Sequence, residues 1–388
     1  MTKDAQIPSS QPVRIREIAA RAQCTKATVS MALNGNPRLP ELTRQRIQEI
    51  AREMGYVPNQ LAKSLSLGRT SVLGVVLPMA IDPYYAAILD ALNQEASNRN
   101  YQLLIQFHRW SVDEEEKALR QLAKSRVDGI LLYPARSSYQ DLPLAKWLDG
   151  VKVPIVLLSD LGGTGLPSIA GRVVKDRQQA STLVMEEFAR LGHRRLDILH
   201  PRFSNAEMPQ RYAPLLNRDL SRRMNLDARV FSLVPEMGNT DPHIQQHGLS
   251  PSRDEDLLLR YIESYLDWPE RGSAVMTSNH RVAWKLLSTM RRKHLHCPED
   301  LSVISVGILG AGNDGAFPLT AVEYDAKEIA RIGLDLMLNR INNHLNTGDA
   351  VVTAELVRRE SAAEAPCSSV ARNTPPASAA MEETVSPK

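Results

Sequence analysis

Cysteines, aromatic residues and long apolar runs are scarce in this 388-residue chain. The 3 cysteines, Cys24, Cys297 and Cys367, are odd in number and far apart, which argues against a disulfide framework and favours reduced thiols in the cytoplasm. No run of about 18 apolar residues occurs, which excludes a transmembrane helix, and the N-terminus lacks the apolar segment of a secretory signal. Hydrophobic residues still make up 43% of the chain, so we expect two or three packed domains in a cytoplasmic protein with no membrane partner.

Positive charge is concentrated near the N-terminus. The whole chain carries a formal charge of +3, whereas residues 1–70 alone hold 11 Lys and Arg against 5 Asp and Glu, a charge of +6. A small basic head on a nearly neutral body is typical of nucleic-acid-binding proteins. A basic surface that is merely solvated is the alternative.

From Val72 onward, strand-like apolar segments alternate with helical ones. This alternation is typical of an α/β fold with a parallel sheet, whose strands are covered on both faces by crossover helices. The segments are VLGVVLP (72–78), YQLLIQF (101–107), GILLYP (129–134), PIVLLS (154–159), LDILH (196–200), VFSLV (230–234), SAVMT (273–277) and LSVISVG (301–307). Residues 235–256, rich in Pro, Gly, Asn and Ser, are predicted to form a long surface loop.

Two short helices joined by a tight turn are predicted before this body. In residues 15–22 the apolar side chains share one narrow face at about 100° per residue. A three-residue turn follows, in which Thr25 is placed to cap a second helix over about 26–33. A third helix, about 40–54, adds apolar residues to the same core. Such a helix-turn-helix places its second helix in the DNA major groove, although a three-helix domain without DNA contact has the same pattern.

The two faces of the second helix differ in chemistry. Val29, Ala32 and Leu33 face the predicted core. The opposite face is small and hydrogen-bonding, with one cation, and it consists of Lys26, Ala27, Ser30, Met31 and Asn34.

The stretch from Val13 to Thr70 resembles the N-terminal region of the lactose-repressor (LacI/GalR) family of bacterial transcription regulators. The matching pieces are IAARA, ATVSMALNG, TRQRI, GYVPN and LAKSL followed by GRT, a long and specific run. The resemblance implies a DNA-binding transcriptional regulator, and we expect a repressor. Because one head reads only a few base pairs, we expect a homodimer on a pseudo-palindromic operator.

The resemblance also implies roles for residues of the head. Lys26, Ala27 and Met31 match positions that read base edges. Positions that contact phosphates or support the reading helix are Thr25, Thr28, Ser30, Asn34 and Arg38, and Tyr56 is assigned to the same interface. Where the family commonly has arginine, Met31 cannot make a bidentate contact to guanine, so we expect a different half-site specificity.

The LAKSL segment matches the hinge helix of the family, which pairs with its dimer mate in the DNA minor groove. Leu65 matches the leucine that wedges apart the central base step, and Lys63 matches the basic residue beside it. An apolar wedge next to a cation is the usual chemistry of minor-groove kinking.

Residues 72–360 resemble the family's core more loosely, and this core is related to periplasmic sugar-binding proteins. The resemblance implies two doubly wound lobes with a small-molecule effector in the cleft between them, and chain crossings near 165–172, 300 and 325. Effector-binding positions carry over to Asp82, Tyr84, Tyr85, Asp176, Arg211 and Asn279. Departures from the pattern are His280, Asp160 and the Ile308-Leu309-Gly310 segment, where an acidic pair is usual. We therefore expect an effector other than a plain hexose, or a regulator that responds to no effector.

The predicted domain organisation is a disordered arm over 1–12, a helix-turn-helix DNA-binding domain over 13–58, a hinge helix over 59–70, a two-lobed effector-binding and dimerisation core over 71–360 and a disordered tail over 361–388.

Two other classes of function are weaker. A transport binding protein could use the same core, but it would carry a secretory signal and no DNA-binding head. An intracellular enzyme would need a nucleophile and base, and the sequence offers no such constellation. The glycine-containing segments 162–165 and 310–315 lack phosphate-loop spacing, and the histidines around Cys297 lie in an ordinary loop. We therefore predict no catalytic residues, no metal site and no cofactor.

Overall fold

The computed structural model describes residues 13–56, 69–136, 138–140, 142–159, 165–166, 169–199, 218–231, 255–308, 317–342 and 348–366. The chain divides into two compact units, Met1–Thr70 and Ser71–Lys388. No helix in the described part of the chain is both long and apolar enough to cross a membrane.

The first unit is a three-helix head made of α1 (Ile15–Ala22), α2 (Lys26–Leu33) and α3 (Glu41–Glu53). Its core is small and fully apolar: Ile18, Val29 and Ala32 have no exposed surface, and Ile47 is 2% exposed. Each fully buried Val or Ile side chain contributes about 1.5–3 kcal/mol. The three predicted helices are therefore confirmed, and their shared apolar face is what joins them.

The second unit contains two six-stranded sheets, one in each lobe. The first sheet has the order β11-β5-β4-β3-β1-β2, and all its strands are parallel. Its strands are β1 (Val72–Leu77), β2 (Gln102–Phe107), β3 (Gly129–Leu132), β4 (Ile155–Leu157), β5 (Ile169–Lys175) and β11 (Gly348–Val352).

The second sheet has the order β12-β10-β9-β8-β6-β7, with only β12 antiparallel to its neighbour β10. Its strands are β6 (Arg195–Leu199), β7 (Asp227–Phe231), β8 (Ala274–Thr277), β9 (Ser302–Ile308), β10 (Thr320–Tyr324) and β12 (Ala354–Val357). The predicted α/β architecture with two doubly wound lobes is confirmed.

Helices cover both sheets and make the crossovers. They are α4 (Pro83–Asn98), α5 (Val112–Lys124), α6 (Pro143–Val151), α7 (Arg177–Arg190), α8 (Arg218–Met224), α9 (Glu255–Leu266), α10 (His280–Arg292) and α11 (Ala326–Ile341). Gly129 lets α11 approach β3, since a Cβ at that position would lie 2.1 Å from the Met337 sulfur.

The described strands place three passages of the chain between the lobes: after β5, after β10, and between β11 and β12. α7 follows β5 and packs on the second sheet, whereas α11 follows β10 and packs back on the first. The crossing predicted near 325 agrees with this path, and the one predicted at 165–172 lies a few residues early. The crossing predicted near 300 is wrong, because β8, α10 and β9 all belong to the second lobe.

The predicted tail boundary at 361 is also too early. Ser361 has no exposed surface, and the Ala365 N–H donates to the Leu191 carbonyl at 2.8 Å. Residues 361–366 therefore belong to the packed second lobe. The arm over 1–12 and the hinge helix lie outside the described residues, except that 69 and 70 are described. Most of the long loop predicted at 235–256 also lies outside them, and its last two residues begin α9.

Candidate nucleic-acid interface and ligand cleft

The turn between α1 and α2 is built from local hydrogen bonds. Gln23 takes a left-handed conformation with φ 53°, and the Cys24 N–H donates to the Ala19 carbonyl at 3.0 Å, which ends α1. The Thr25 hydroxyl accepts from the Thr28 N–H at 3.1 Å, and the two threonine hydroxyls are 2.8 Å apart. Thr25 thus caps α2, as its position in the sequence indicates.

The predicted reading face of α2 is open to solvent. Lys26 and Ala27 are exposed, and Ser30 and Met31 are half-buried, whereas Val29 on the opposite face has no exposed surface. The face continues to Asn34, which is exposed and caps the end of α2. The small side chains of this surface allow close approach of another molecule to the helix.

Contacts with α3 hold this face in place. The Gln48 side-chain amide donates to the Ala32 carbonyl of α2 at 3.0 Å. The Arg21 guanidinium of α1 pairs with Glu53 of α3 at 3.0 Å. Tyr56 is half-buried against the head core, with its N–H bonded to the Ala51 carbonyl at 2.9 Å.

Two cations on the reading side are not paired with acidic groups of the head's described residues. Arg16, Arg21 and Arg44 pair with glutamates, whereas Lys26 and Arg38 are exposed and form no ion pair with any described residue. Arg38 follows a turn in which its N–H donates to the Asn36 side chain at 3.0 Å. Lys63 and Leu65 lie outside the described residues.

In the second unit, aromatic rings cluster at the carboxyl ends of the first-lobe strands. The Tyr85 ring centroid lies 5.1 Å from that of Tyr133 and 6.1 Å from that of Trp110, in edge-to-face geometry. Tyr84 packs edge-on against Tyr85 at 5.1 Å. Tyr85 is 7% exposed, while Tyr84 remains half-buried at the surface of the cluster. Of the two predicted tyrosines, Tyr84 is therefore the more exposed.

A tight turn after β2 positions Trp110. Arg109 and Trp110 both take left-handed conformations, with φ 49° and 63°, which are uncommon for non-glycine residues. The backbone N–H of Trp110 donates to Nδ1 of the buried His108 at 3.0 Å. The His108 ring therefore carries its proton on Nε2, which donates to the Tyr133 carbonyl at 2.9 Å. Neutral His108 thereby ties the ends of β2 and β3 together beneath the aromatic cluster.

Lys175, the last residue of β5, lies where the two lobes meet. Its ammonium donates to the Tyr84 hydroxyl at 2.8 Å. The Tyr133 and Tyr324 ring centroids are 5.9 and 5.6 Å from the same nitrogen. Since Tyr324 ends β10 of the second sheet, the cation contacts aromatic residues of both lobes.

Three of the predicted effector residues begin helices at the strand ends. The side chains of Asp82, Asp176 and Asn279 accept backbone N–H bonds at 2.9, 2.8 and 2.9 Å and cap α4, α7 and α10. Burial raises the pKa of Asp82, and its cap hydrogen bond and the charge of Arg281 oppose that rise. Arg281 is on the second lobe, so these opposite charges belong to different lobes. Arg211 lies outside the described residues.

His280 fills the position where the resembling family has an aspartate. It is 5% exposed, and its Nδ1 lies 2.9 Å from the Ser305 hydroxyl. A Cβ on Gly307 would lie 2.0 Å from its Nε2, so only glycine leaves room for this ring. Glu323, 3.7 Å from Nε2, is bonded by Arg359 at 2.7 Å. The ring is therefore part of the second-lobe core. Asp160, Leu309 and Gly310 lie outside the described residues.

Neither a group of metal ligands nor a reactive thiol at Cys297 is present among the described residues. Among the described residues, no three His, Cys, Asp or Glu side chains are grouped as metal ligands. Burial raises the pKa of the Cys297 thiol to about 12, which keeps it protonated and unreactive at neutral pH.

Sequence reasoning missed four residues of the cleft: His108, Trp110, Tyr133 and Lys175. Each of them lies at or just after the carboxyl end of a first-lobe strand, which is the edge where ligands bind in doubly wound sheets. The strand ends themselves are the available signal, but the sequence pattern does not predict β5 and therefore does not indicate Lys175.

Comparison with known proteins agrees with both units. Residues 14–59 match the family described as bacterial regulatory proteins, lacI family. Residues 70–211 match periplasmic binding proteins and sugar binding domain of LacI family, and residues 185–362 match a periplasmic binding protein-like domain.

Individual relatives match over most of their length. The HTH-type transcriptional regulator IdnR of Escherichia coli is 25% identical over 337 residues, which is 86% of this chain and 93% of the relative. The HTH-type transcriptional repressor CytR of Escherichia coli is 24% identical over 351 residues, 89% and 95% of the two chains. A crystal structure of the Lac repressor dimer bound to operator and the anti-inducer ONPF superposes with a TM-score of 0.70 at 18% identity, covering 91% of this chain and 100% of that one.

A helix-turn-helix head followed by a two-lobed core with a cleft defines a class of DNA-binding transcriptional regulators. The chain combines the two parts of one such family: its head matches the LacI family of bacterial regulatory proteins, and its core matches periplasmic-binding-protein-like domains, including the sugar binding domain of that family. The relatives it matches are regulators rather than enzymes.

Proposed function

We propose that this regulator is a repressor that binds a pseudo-palindromic operator as a homodimer, with α2 of each head in the major groove. The observation that carries the proposal is the exposed face of α2, which combines small side chains with Lys26 and is followed by Arg38 in the next turn, neither cation being paired with an acidic residue of the described chain. Cations without internal partners gain most from phosphates, because binding releases the counterions of the DNA. Since the partner is chromosomal DNA, we expect the protein to work in the cytoplasm.

On this proposal, the residues of α2 divide into two sets. The residues that face the bases are Lys26, Ala27 and Met31. The groups that suit phosphate oxygens are the hydroxyls of Thr25, Thr28 and Ser30 and the amide of Asn34. Arg38 and Tyr56 border the same surface, and Lys63 and Leu65 are proposed to enter the minor groove.

The edge of the first sheet supports a dimer. β2 is an edge strand, and its alternate residues Ile105 and Phe107 are each 37% exposed on one face. An edge strand that exposes large apolar side chains is prone to aggregate unless another surface covers it. We propose that a second copy of the chain covers this edge, in line with the dimer in the matched Lac repressor structure.

The cleft between the lobes is proposed to bind a small effector that changes operator affinity. Tyr84 offers a half-buried ring, and Asp82 and Asp176 follow β1 and β5 of the first sheet. Asn279 follows β8 of the second sheet, and Arg211 is proposed to join these residues as a clamp. With Leu309 and Gly310 in place of an acidic pair, a sugar hydroxyl would lose a charge-assisted hydrogen bond of about 1.5–3 kcal/mol. We therefore expect ordinary hexoses to bind weakly.

DNA binding is tested by fluorescence anisotropy with a selected duplex, over a series of salt concentrations. Arg38→Ala should weaken binding and lower the salt slope by about one counterion. The matched control is Arg291→Ala, which removes an exposed arginine in the last turn of α10 on the core. Equal affinities and salt slopes for the two variants would refute the proposed interface.

A further inference from the structure

We infer that Gln179 is a positioning residue that sets the angle between the two lobes. Its side-chain amide holds one of the crossing segments against α7, the helix that enters the second lobe, and so restricts rotation of one lobe against the other. The consequence for operator affinity rests on the proposed function of the head, whereas the restriction of the hinge does not.

Two crossing segments run side by side where they leave the first lobe. β5 and β11 are paired in parallel up to Lys175 and Val352. The Asp176 N–H then donates to the Val352 carbonyl at 2.9 Å, which extends the pairing to the residue that caps α7. Because backbone hydrogen bonds join the two segments up to this point, they leave the first lobe as one unit.

Beyond this point a side chain takes the place of the backbone ladder. Asp176 accepts from the Gln179 N–H at 2.8 Å, so the backbone of the first crossing turns into α7. The Gln179 side chain reaches back to the other crossing: Nε2 donates to the Ala354 carbonyl at 2.7 Å, and Oε1 accepts from the Ala354 N–H at 3.0 Å. Ala354 thus exchanges both of its backbone hydrogen bonds with one amide, as it would with a residue of an antiparallel strand.

This pair of bonds leaves Thr353 as the flexible point of the third crossing. Val352 ends β11 of the first sheet and Ala354 begins β12 of the second, so Thr353 alone lies between the two sheets. Val352 and Ala354 are each 3% exposed, whereas Thr353 is exposed. A rotation of the lobes has to be absorbed by the backbone torsions of such a segment. The Tyr324 hydroxyl at the end of β10 donates to the Asp176 carbonyl at 3.3 Å, which connects the second crossing to the same place.

The chemistry of the amide makes this contact specific. A primary amide offers a donor and an acceptor together, which the Ala354 carbonyl and N–H require. Methionine offers neither. A glutamate carboxylate can accept from the N–H, but it sets a second oxygen against the Ala354 carbonyl. The size of the side chain is therefore not sufficient to hold the crossing against α7.

A looser hinge should weaken operator binding. A dimer that binds two half-sites is ordered by the DNA, and a protein that samples more lobe angles before binding pays a larger entropic cost when it is ordered. The effect of Gln179 on the operator is then indirect, because the residue lies on the core and not on the head.

The test measures the distance between the lobes by double electron–electron resonance in the full-length protein. Spin labels are attached through Lys124→Cys at the end of α5 and Ser288→Cys on α10, which are exposed residues of different lobes. The native cysteines are first removed by Cys24→Ser, Cys297→Ser and Cys367→Ser. Dilution of the labelled chains with unlabelled chains ensures that only distances within one chain are measured.

Three variants in this background identify the group responsible. Gln179→Met and Gln179→Glu should broaden the distance distribution, and since glutamate has the size of glutamine, the second variant separates hydrogen bonding from space filling. The matched control is Gln178→Met, which changes the exposed neighbouring glutamine of α7 and should leave the distribution unchanged. Thermal unfolding verifies that each variant is folded.

The same variants are then measured on the selected operator duplex by fluorescence anisotropy. Gln179→Met and Gln179→Glu should bind about fivefold more weakly or more, which is the lower end of the usual coupling between distant sites. Gln178→Met should bind as the protein without these substitutions does.

The possible results separate the hinge from the operator. An unchanged distribution in Gln179→Met, broadening in that variant but not in Gln179→Glu, or equal broadening in Gln178→Met would overturn the role of the Gln179 amide in the hinge. A broadened distribution with unchanged operator affinity would overturn its link to DNA binding. If the protein with Gln179 intact binds no selected duplex, the proposed repressor function fails, and the distance distributions still decide the role of Gln179.

Discussion

The Ser361 hydroxyl donates a 2.6 Å hydrogen bond to the Val303 carbonyl of β9 and accepts one at 2.8 Å from the Thr320 N–H that begins β10. The Val303 N–H in turn donates to the Ser361 carbonyl at 2.6 Å. A residue near the C-terminus of the described chain thus joins two central strands of the second lobe.

Replacing Ser361 with alanine should therefore destabilise the protein. The variant leaves the buried Thr320 N–H without its acceptor, which costs about 1–3 kcal/mol. The measurement is urea unfolding followed by circular dichroism. Ser288→Ala, which removes an exposed hydroxyl bonded within α10, is the control and should change stability little. Equal effects of the two substitutions would contradict the assigned role of Ser361.

The ion pairs of Glu187 should make the free energy of unfolding depend on pH in the acid range. Hydrogen bonds from Arg190 and Arg358 lower the pKa of this carboxyl to about 2, against the partial opposition of burial. Because the folded pKa lies below the unfolded value of 4.5, the stabilisation is complete above pH 4.5 and is lost as pH falls towards 2. We expect about 1–2 kcal/mol, since both guanidinium groups are exposed and screened by solvent.

The measurement is the free energy of unfolding as a function of pH for wild type and Glu187→Gln. The difference between them should be largest near neutral pH and should shrink below pH 4.5. Glu186→Gln changes the neighbouring exposed carboxylate and serves as the control. A difference that does not depend on pH would show that the ion pairs are not its source.

Because of Met31, we expect an unusual operator sequence preference, and a substitution at this position should change it. Met31→Arg places a guanidinium on the reading face, where it can make a bidentate contact to guanine worth about 1–3 kcal/mol of discrimination. Binding-site selection should then enrich a guanine at one position of each half-site. Met31→Leu keeps an apolar side chain and should retain the wild-type preference. Identical selected sites for wild type and Met31→Arg would exclude a base contact.

Leu65 is expected to act only in the complex with DNA. Leu65→Ala should leave thermal unfolding unchanged but reduce DNA bending and specific affinity, because unstacking a base step costs a few kcal/mol that the wedge must offset. Circular-permutation gel shifts measure the bend. Leu42→Ala removes an 81% exposed leucine of α3 and should leave the bend unchanged. An unaltered bend with Leu65→Ala would show that Leu65 does not act as the wedge.

Sequence reasoning predicted the head and much of the core because their signals are local. The apolar face of α1 and the Thr25 cap each depend on residues within one or two helical turns. β5, β10, β11 and β12 were missed, because their segments are short or contain polar residues and glycine, as in IAGRVVK. Their place in the sheets depends on the lobe crossings, which are long-range contacts.

The candidate cleft was predicted in part for the same reason. Tyr84 and Asp82 follow the first strand, which has a clear apolar signal, whereas Lys175 ends a strand that was not predicted. His280 was noted only as a departure from the family pattern. Its packing against Gly307, on the following strand β9, could be learned only from the structure.

Dimeric operator binding is tested most directly by binding-site selection from random DNA with the full-length protein, followed by analytical ultracentrifugation of the complex on the selected duplex. We predict an enriched pseudo-palindrome bound by two copies of the chain, with affinity that falls steeply with salt. Enrichment of no sequence, or a single copy of the chain bound to one asymmetric site, would contradict it.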